Sequence, residues 1–123
     1  MTTPYKTLTQ NISGNLTQLH KTQPNVMKGF ADIGKAAMAA STVDAKTKEL
    51  IALAVGAVAR CDGCIGFHAK ALAKQGPVTE EVHEALALTV YMGGEPLAMY
   101  AANAEAAFNE FTSPAKPLTG APS

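Results

Sequence analysis

Apolar positions recur at helical spacing along most of the chain, and the alternating β-branched runs that announce strands are hard to find. Leu8, Ile12, Leu16 and Leu19 predict a first helix over residues 5–20, weakened at Gly14. A second opens after Pro24 and carries Met27, Phe30, Ile33 and Met38 on one side. A third starts near Asp44, a suitable N-cap, and continues through KTKELIALAVGAVAR. Residues 50–59 of that helix offer almost no polar side, and a helix apolar all round has to be covered all round. One short chain cannot wrap it completely, so a homo-oligomer is expected.

The fourth helix starts within CDGCIGFHAKALAKQ and should stop at Gly76 followed by Pro77, a C-terminal glycine and then a breaker. Thr79 reads as the N-cap of a fifth, with Glu80 and Glu81 in its first turn and Val82, Ala85, Leu86 and Thr89 turned inward. That helix ends at Gly93 and Gly94. Pro96 then suits the first turn of a sixth, which carries Leu97, Tyr100, Ala104, Phe108 and Phe111. The expectation is an all-α fold, a compact bundle of about six helices.

A length of 123 residues fits a single domain, here residues 1–111, followed by a tail over 112–123 whose composition reads as disordered. Ten basic against ten acidic residues leave no net charge, and no stretch concentrates Lys or Arg, so nucleic acid is not an expected partner. The start, MTTPYKTLTQN, lacks the apolar run of a secretory signal, and no segment reaches the ~20 apolar residues of a membrane span. A cytoplasmic protein without membrane attachment is expected. Its only cysteines stand two residues apart in CDGC, closing too small a loop to staple a fold. Such a pair points to redox chemistry or metal binding.

Cys61, Cys64 and His68 are spaced by three and then four positions, which puts their side chains on one stripe of a helix. Asp62 and Gly63 favour a turn, so Cys64 falls in the helix's first turn, where free N–H groups and the positive end of the dipole favour a thiolate. Cys61 can close onto Cys64 there without large backbone movement. His68, one turn on, can take the thiol proton directly or through a water. Glu49 lies early in the preceding helix, and an antiparallel turn near Arg60 would bring its carboxylate back to His68 and orient the ring. Other readings stay open: a Cys2His zinc site completed by Glu49, His20 or His83; a His68 with no chemical role; and a Glu49 merely solvated beside Lys46 and Lys48. Haem attachment would need histidine straight after the second cysteine, where Ile65 stands. His20 and His83 read as surface residues.

From Glu49 to Phe111 the chain resembles the carboxymuconolactone decarboxylase family, specifically its alkylhydroperoxidase D-like branch, with a family-like core over 44–111. The pattern is Glu49, eleven residues, then Cys61-Asp-Gly-Cys64-Ile-Gly-Phe-His68, followed by Gly93-Gly94-Glu95-Pro96 and a helix ending AEAAFNEF. The resemblance implies an all-helical protein, a trimer or a hexamer built from trimers, that reduces hydroperoxides. It also implies that peroxide attacks Cys64 to give a sulfenic acid, that Cys61 resolves it to a disulfide, and that His68 with Glu49 relays protons. Better-known hydroperoxidases of this type carry a histidine just before the second cysteine, where this chain has Gly63.

The expected activity is therefore that of a two-cysteine peroxidase acting on hydrogen peroxide or organic hydroperoxides. Its disulfide would be returned to thiols by a lipoyl group or a thioredoxin-like protein, and the cycle calls for no cofactor and no metal. The runner-up enzyme is a lyase decarboxylating a carboxylated lactone. A polyanionic substrate would want several cationic clamps, and Arg60 is the chain's only arginine. Outside catalysis, a zinc-stabilised helical oligomer is the alternative.

Overall fold

The computed structural model describes residues 4–76 and 78–113. They form α1 (Pro4–Thr22), α2 (Pro24–Met38), α3 (Ala45–Val58), α4 (Asp62–Ala73), α5 (Thr79–Gly93) and α6 (Glu95–Thr112), with no strand among the described residues. The all-α bundle is the one that the apolar spacing predicts.

Helices α3 to α6 hold the core. Leu53 of α3, Ile65 and Leu72 of α4, Val82 of α5 and Phe108 of α6 are buried together, with Ala57, Ala69, Ala104 and Ala107 between them. The small alanines let the helices close on one another, and fully burying each large apolar side chain contributes about 1.5–3 kcal/mol. On α5, Val82, Leu86 and Thr89 are buried as expected, while Ala85 is half-buried.

The helix ends follow local chemistry, with two shifts from expectation. Asp44 caps α3 by accepting the Thr47 N–H at 2.7 Å. Thr79, however, is the first residue of α5, and the capping position falls to Val78, which makes no side-chain cap bond. Val78 is buried, so apolar anchoring sets this boundary in place of a hydroxyl. Helix α4 stops at Ala73, ahead of the predicted Gly76, which takes a left-handed φ of 88° in the turn that follows. Pro77 lies outside the described residues, as does most of the segment read as a tail; Thr112 still belongs to α6 and Ser113 caps it.

Helices α1 and α2 lie over this core unequally. The start of α1 is capped from the far end of the chain: Glu110 accepts the N–H of Tyr5 at 3.2 Å and of Lys6 at 2.6 Å. Burial first, then the Asp62 and Glu110 carboxylates and Tyr100, push the Tyr5 phenol above its ordinary pKa. Ile12 and Thr9 settle onto α4, where Gly63 and Gly66 leave them room. By contrast α2 buries no residue, and Val26, Phe30 and Ile33 stand exposed. Its carboxyl end is tied down by Lys48, whose ammonium donates to the Ala37 and Ala39 carbonyls at 2.8 and 2.7 Å.

Candidate functional site

The site forms where α3 turns into α4. At the end of α3 the Cys61 N–H reaches the Gly56 carbonyl at 3.0 Å and the Arg60 N–H reaches that of Ala57 at 3.1 Å. These are the two bonds of a Schellman closure, with Arg60 in the left-handed position at φ 57°. The turn sends α4 back along α3, which is the antiparallel arrangement expected near Arg60.

Cys61 is the N-cap of α4, and its sulfur accepts the Cys64 N–H at 3.1 Å. The two cysteines are joined as a disulfide with Cα atoms 5.2 Å apart, within the usual range. Cys64 is exposed and Cys61 half-buried, so Cys64 is the more accessible residue of the pair. A Cβ on Gly56 would stand 3.1 Å from that of Cys64, so the absence of a side chain on α3 lets the first turn of α4 sit this close.

One turn further along α4, His68 Nδ1 lies 2.7 Å from Glu49 Oε1 on α3. The carboxylate is the better buried partner, its side chain 18 % exposed against 31 % for the imidazole. With Nδ1 held by the carboxylate, Nε2 is the nitrogen left to exchange a proton, and the bond fixes the ring's orientation. The structure thus brings together all four residues singled out from the sequence, Glu49, Cys61, Cys64 and His68, across one helix pair.

The competing readings fare differently. Glu49 is no solvated partner of its lysine neighbours: Lys46 pairs with Glu81 at 2.8 Å and Lys48 serves the end of α2. His20 is exposed, and His83 faces Glu105 at 3.4 Å. Among the described residues no three His, Cys, Asp or Glu side chains gather as a metal site, and the two cysteines are joined to each other. Gly56 and Ile12 were not legible as site residues. Gly56 matters through the register between two helices, and Ile12 through the helix that lies on Gly63.

The sequence profile of the carboxymuconolactone decarboxylase family matches residues 24–107. The chain belongs to that family. It is similar to a solved Legionella pneumophila structure, a carboxymuconolactone decarboxylase family protein crystallised in the apo form, which is 43 % identical and superposes with a TM-score of 0.87 over 89 % of this chain and 97 % of that one. A Cupriavidus necator protein, named only as uncharacterized, is 38 % identical over 109 residues, 89 % of this chain and 96 % of its own length. An uncharacterized Haemophilus influenzae protein is 39 % identical over 70 residues, 57 % of this chain and 62 % of its own. The span matched to the carboxymuconolactone decarboxylase family covers Glu49, Cys61, Cys64 and His68 and every residue of the buried core cluster except Phe108. Among the described residues no helix is long and apolar enough to cross a membrane.

Proposed function

We propose that this carboxymuconolactone decarboxylase family member is a cytoplasmic two-cysteine peroxidase of the alkylhydroperoxidase D type. The observation that carries the reading is the Cys61–Cys64 pair at the start of α4 with the Glu49–His68 pair one turn on. His68, held by Glu49, takes the Cys64 thiol proton. The thiolate attacks the outer oxygen of a hydroperoxide, the O–O bond breaks, and the departing alkoxide receives the proton from His68. Cys64 is then a sulfenic acid. The Cys61 thiol attacks its sulfur, water leaves, and the disulfide forms. Two electrons from a dithiol donor, a lipoyl group or a thioredoxin-like protein, restore the thiols. A lactone-decarboxylating lyase would leave the cysteine pair without a task.

The test is intact mass after thiol alkylation, with and without one equivalent of peroxide. Loss of two alkylatable thiols per chain, with peroxide consumed in proportion, is expected. Thiols that persist while peroxide remains would overturn the reading. Sulfenate trapping assigns the roles: Cys61→Ser should be labelled at Cys64, and Cys64→Ser should not be labelled at all.

The same proposal includes a homo-oligomer, a trimer or a hexamer built from trimers. Its support is a pair of apolar surfaces that the described residues leave open. One is the α2 stripe of Val26, Phe30 and Ile33; the other is a groove of about 280 Å³ between α3 and α5, lined by Ile51, Ala54, Val58, Leu88 and Met92 among others. Exposed apolar area on this scale marks an interaction surface. Two different faces meeting head to tail close into a ring when the rotation between copies is a third of a turn, which is how a trimer forms.

A further inference from the structure

Arg60 is the only non-glycine residue with a left-handed φ among the described residues. The Schellman closure demands that conformation, and glycine adopts it without the strain an L side chain meets there. Arg60 is also the only arginine in the chain. It is exposed, and its guanidinium has no hydrogen-bond or ion-pair partner among the described residues. It directly precedes Cys61, so an unpaired cation on a left-handed backbone is carried by the residue next to the disulfide. The carboxyl end of α3 favours a cation at this point, but that preference is met equally by lysine and does not call for a planar fork.

We propose that Arg60 binds a carboxylate on the thiol reductant and so docks acidic thiols onto the Cys61–Cys64 disulfide. This rests on the redox reading above. The reductant's thiolate attacks the Cys64 sulfur, the S–S bond breaks, and Cys61 leaves as a thiolate that takes up a proton. The reductant's second thiol then attacks its own sulfur in the mixed disulfide, Cys64 leaves as a thiolate, and the reductant departs as a disulfide, two electrons poorer. Asp62, two residues beyond Arg60, is exposed and of opposite charge, so the local field does not by itself gather anions. The selectivity comes from the fork gripping both carboxylate oxygens.

The experiment reduces the preformed disulfide, made with diamide, using dihydrolipoic acid and dihydrolipoamide, which share one dithiol and differ only in the carboxylate. Second-order rates are followed by thiol titration. The acid is expected to exceed the amide by about fivefold in the wild type, the yield of one exposed charge-assisted contact. The ratio should fall toward one in Arg60→Gly, a residue that suits the turn and so keeps the fold, and most of the way in Arg60→Lys. Lys35→Gln, on α2, should keep the wild-type ratio. A wild-type ratio near one overturns the proposal, as does equal slowing with both reductants in Arg60→Gly, which would signal a role in the turn or at the Cys61 thiolate. A full ratio in Arg60→Lys overturns the fork. Because the disulfide is made without peroxide, failure of the peroxidase cycle would show separately, in the oxidation experiment.

Discussion

His68 Nδ1 and Glu49 Oε1 meet at 2.7 Å across the α3–α4 interface, which joins a residue ahead of the apolar run of α3 to one a full turn beyond Cys64. The contact orients the ring for proton transfer at Nε2. His68→Ala should lower the rates of thiol alkylation and peroxide reduction near neutral pH by at least about tenfold, within the usual range of general-base contributions. Raising the pH should recover part of the loss. Glu49→Gln keeps the side chain's shape and should act in the same direction, more mildly. The double variant should lose less than the two single losses combined, because both residues serve one relay. Unchanged pH–rate profiles in His68→Ala would remove it from the mechanism.

Gly63 occupies the position where better-known hydroperoxidases of this type carry a histidine, and α1 explains what that substitution meets here. A Cβ at Gly63 would stand 2.9 Å from Ile12 Cδ1, the far end of a side chain that can turn aside for a Cβ alone, and the imidazole beyond it adds far more bulk. Gly63→His should therefore destabilise the fold by about 1–3 kcal/mol, the range of an overpacked site. Adding Ile12→Ala should return much of that loss, since the side chain in the way is shortened. Denaturant melts of the two singles and the double measure it. Additive losses would mean that α1 does not lie against Gly63.

Asp44 gives a prediction in pH. Its carboxylate, held by the Thr47 N–H and helped by Lys46, lies below its ordinary pKa. A carboxyl group depressed on folding contributes stability above its unfolded value, and that contribution fades as pH falls through the folded value. Asp44→Ala should melt below the wild type at neutral pH, and the gap should close as the medium is taken below the carboxylate range. Asp44→Asn, also a good cap, should match the wild type at neutral pH and show less acid sensitivity. A gap in Asp44→Ala that does not change with pH would mean that the charge is not what caps α3.

Most of this was legible where the information is local. Cys64 and His68 share one helix that Cys61 caps, so their spacing alone places them at its start, and Asp44 announces its cap by type and place. Glu49 required one tertiary inference, an antiparallel turn at Arg60. What could not be read depends on register or on distant chain. Gly56 opposite Cys64 follows from how α3 slides along α4, and no pattern in the sequence states it. Glu110 capping α1 joins positions 105 apart, and nothing about a glutamate near the end of a helix says whose N–H groups it will meet. The start of α5 was misplaced by one residue because a buried valine outranked a threonine suited to capping.

The two open apolar faces give the last prediction. Phe30 on α2 is 69 % exposed and Leu88 at the α3–α5 groove is 65 % exposed, and neither surface is covered by the described residues. If the α2 stripe of one copy seats in the groove of the next, a charge on either face breaks every contact in the ring, since burying an unpaired carboxylate is strongly unfavourable. Phe30→Asp and Leu88→Asp should each scatter light as single chains near 12.7 kDa at micromolar concentration, whereas the wild type should not. Mixing the two variants decides the geometry. The Leu88→Asp chain keeps an intact α2 stripe and the Phe30→Asp chain keeps an intact groove, so one good contact remains between them and a heterodimer should appear. That dimer cannot grow, because its other stripe and other groove both carry the charge. An interface in which each face meets its own copy would give no such rescue, and a wild-type chain that is itself monomeric would remove the oligomer altogether.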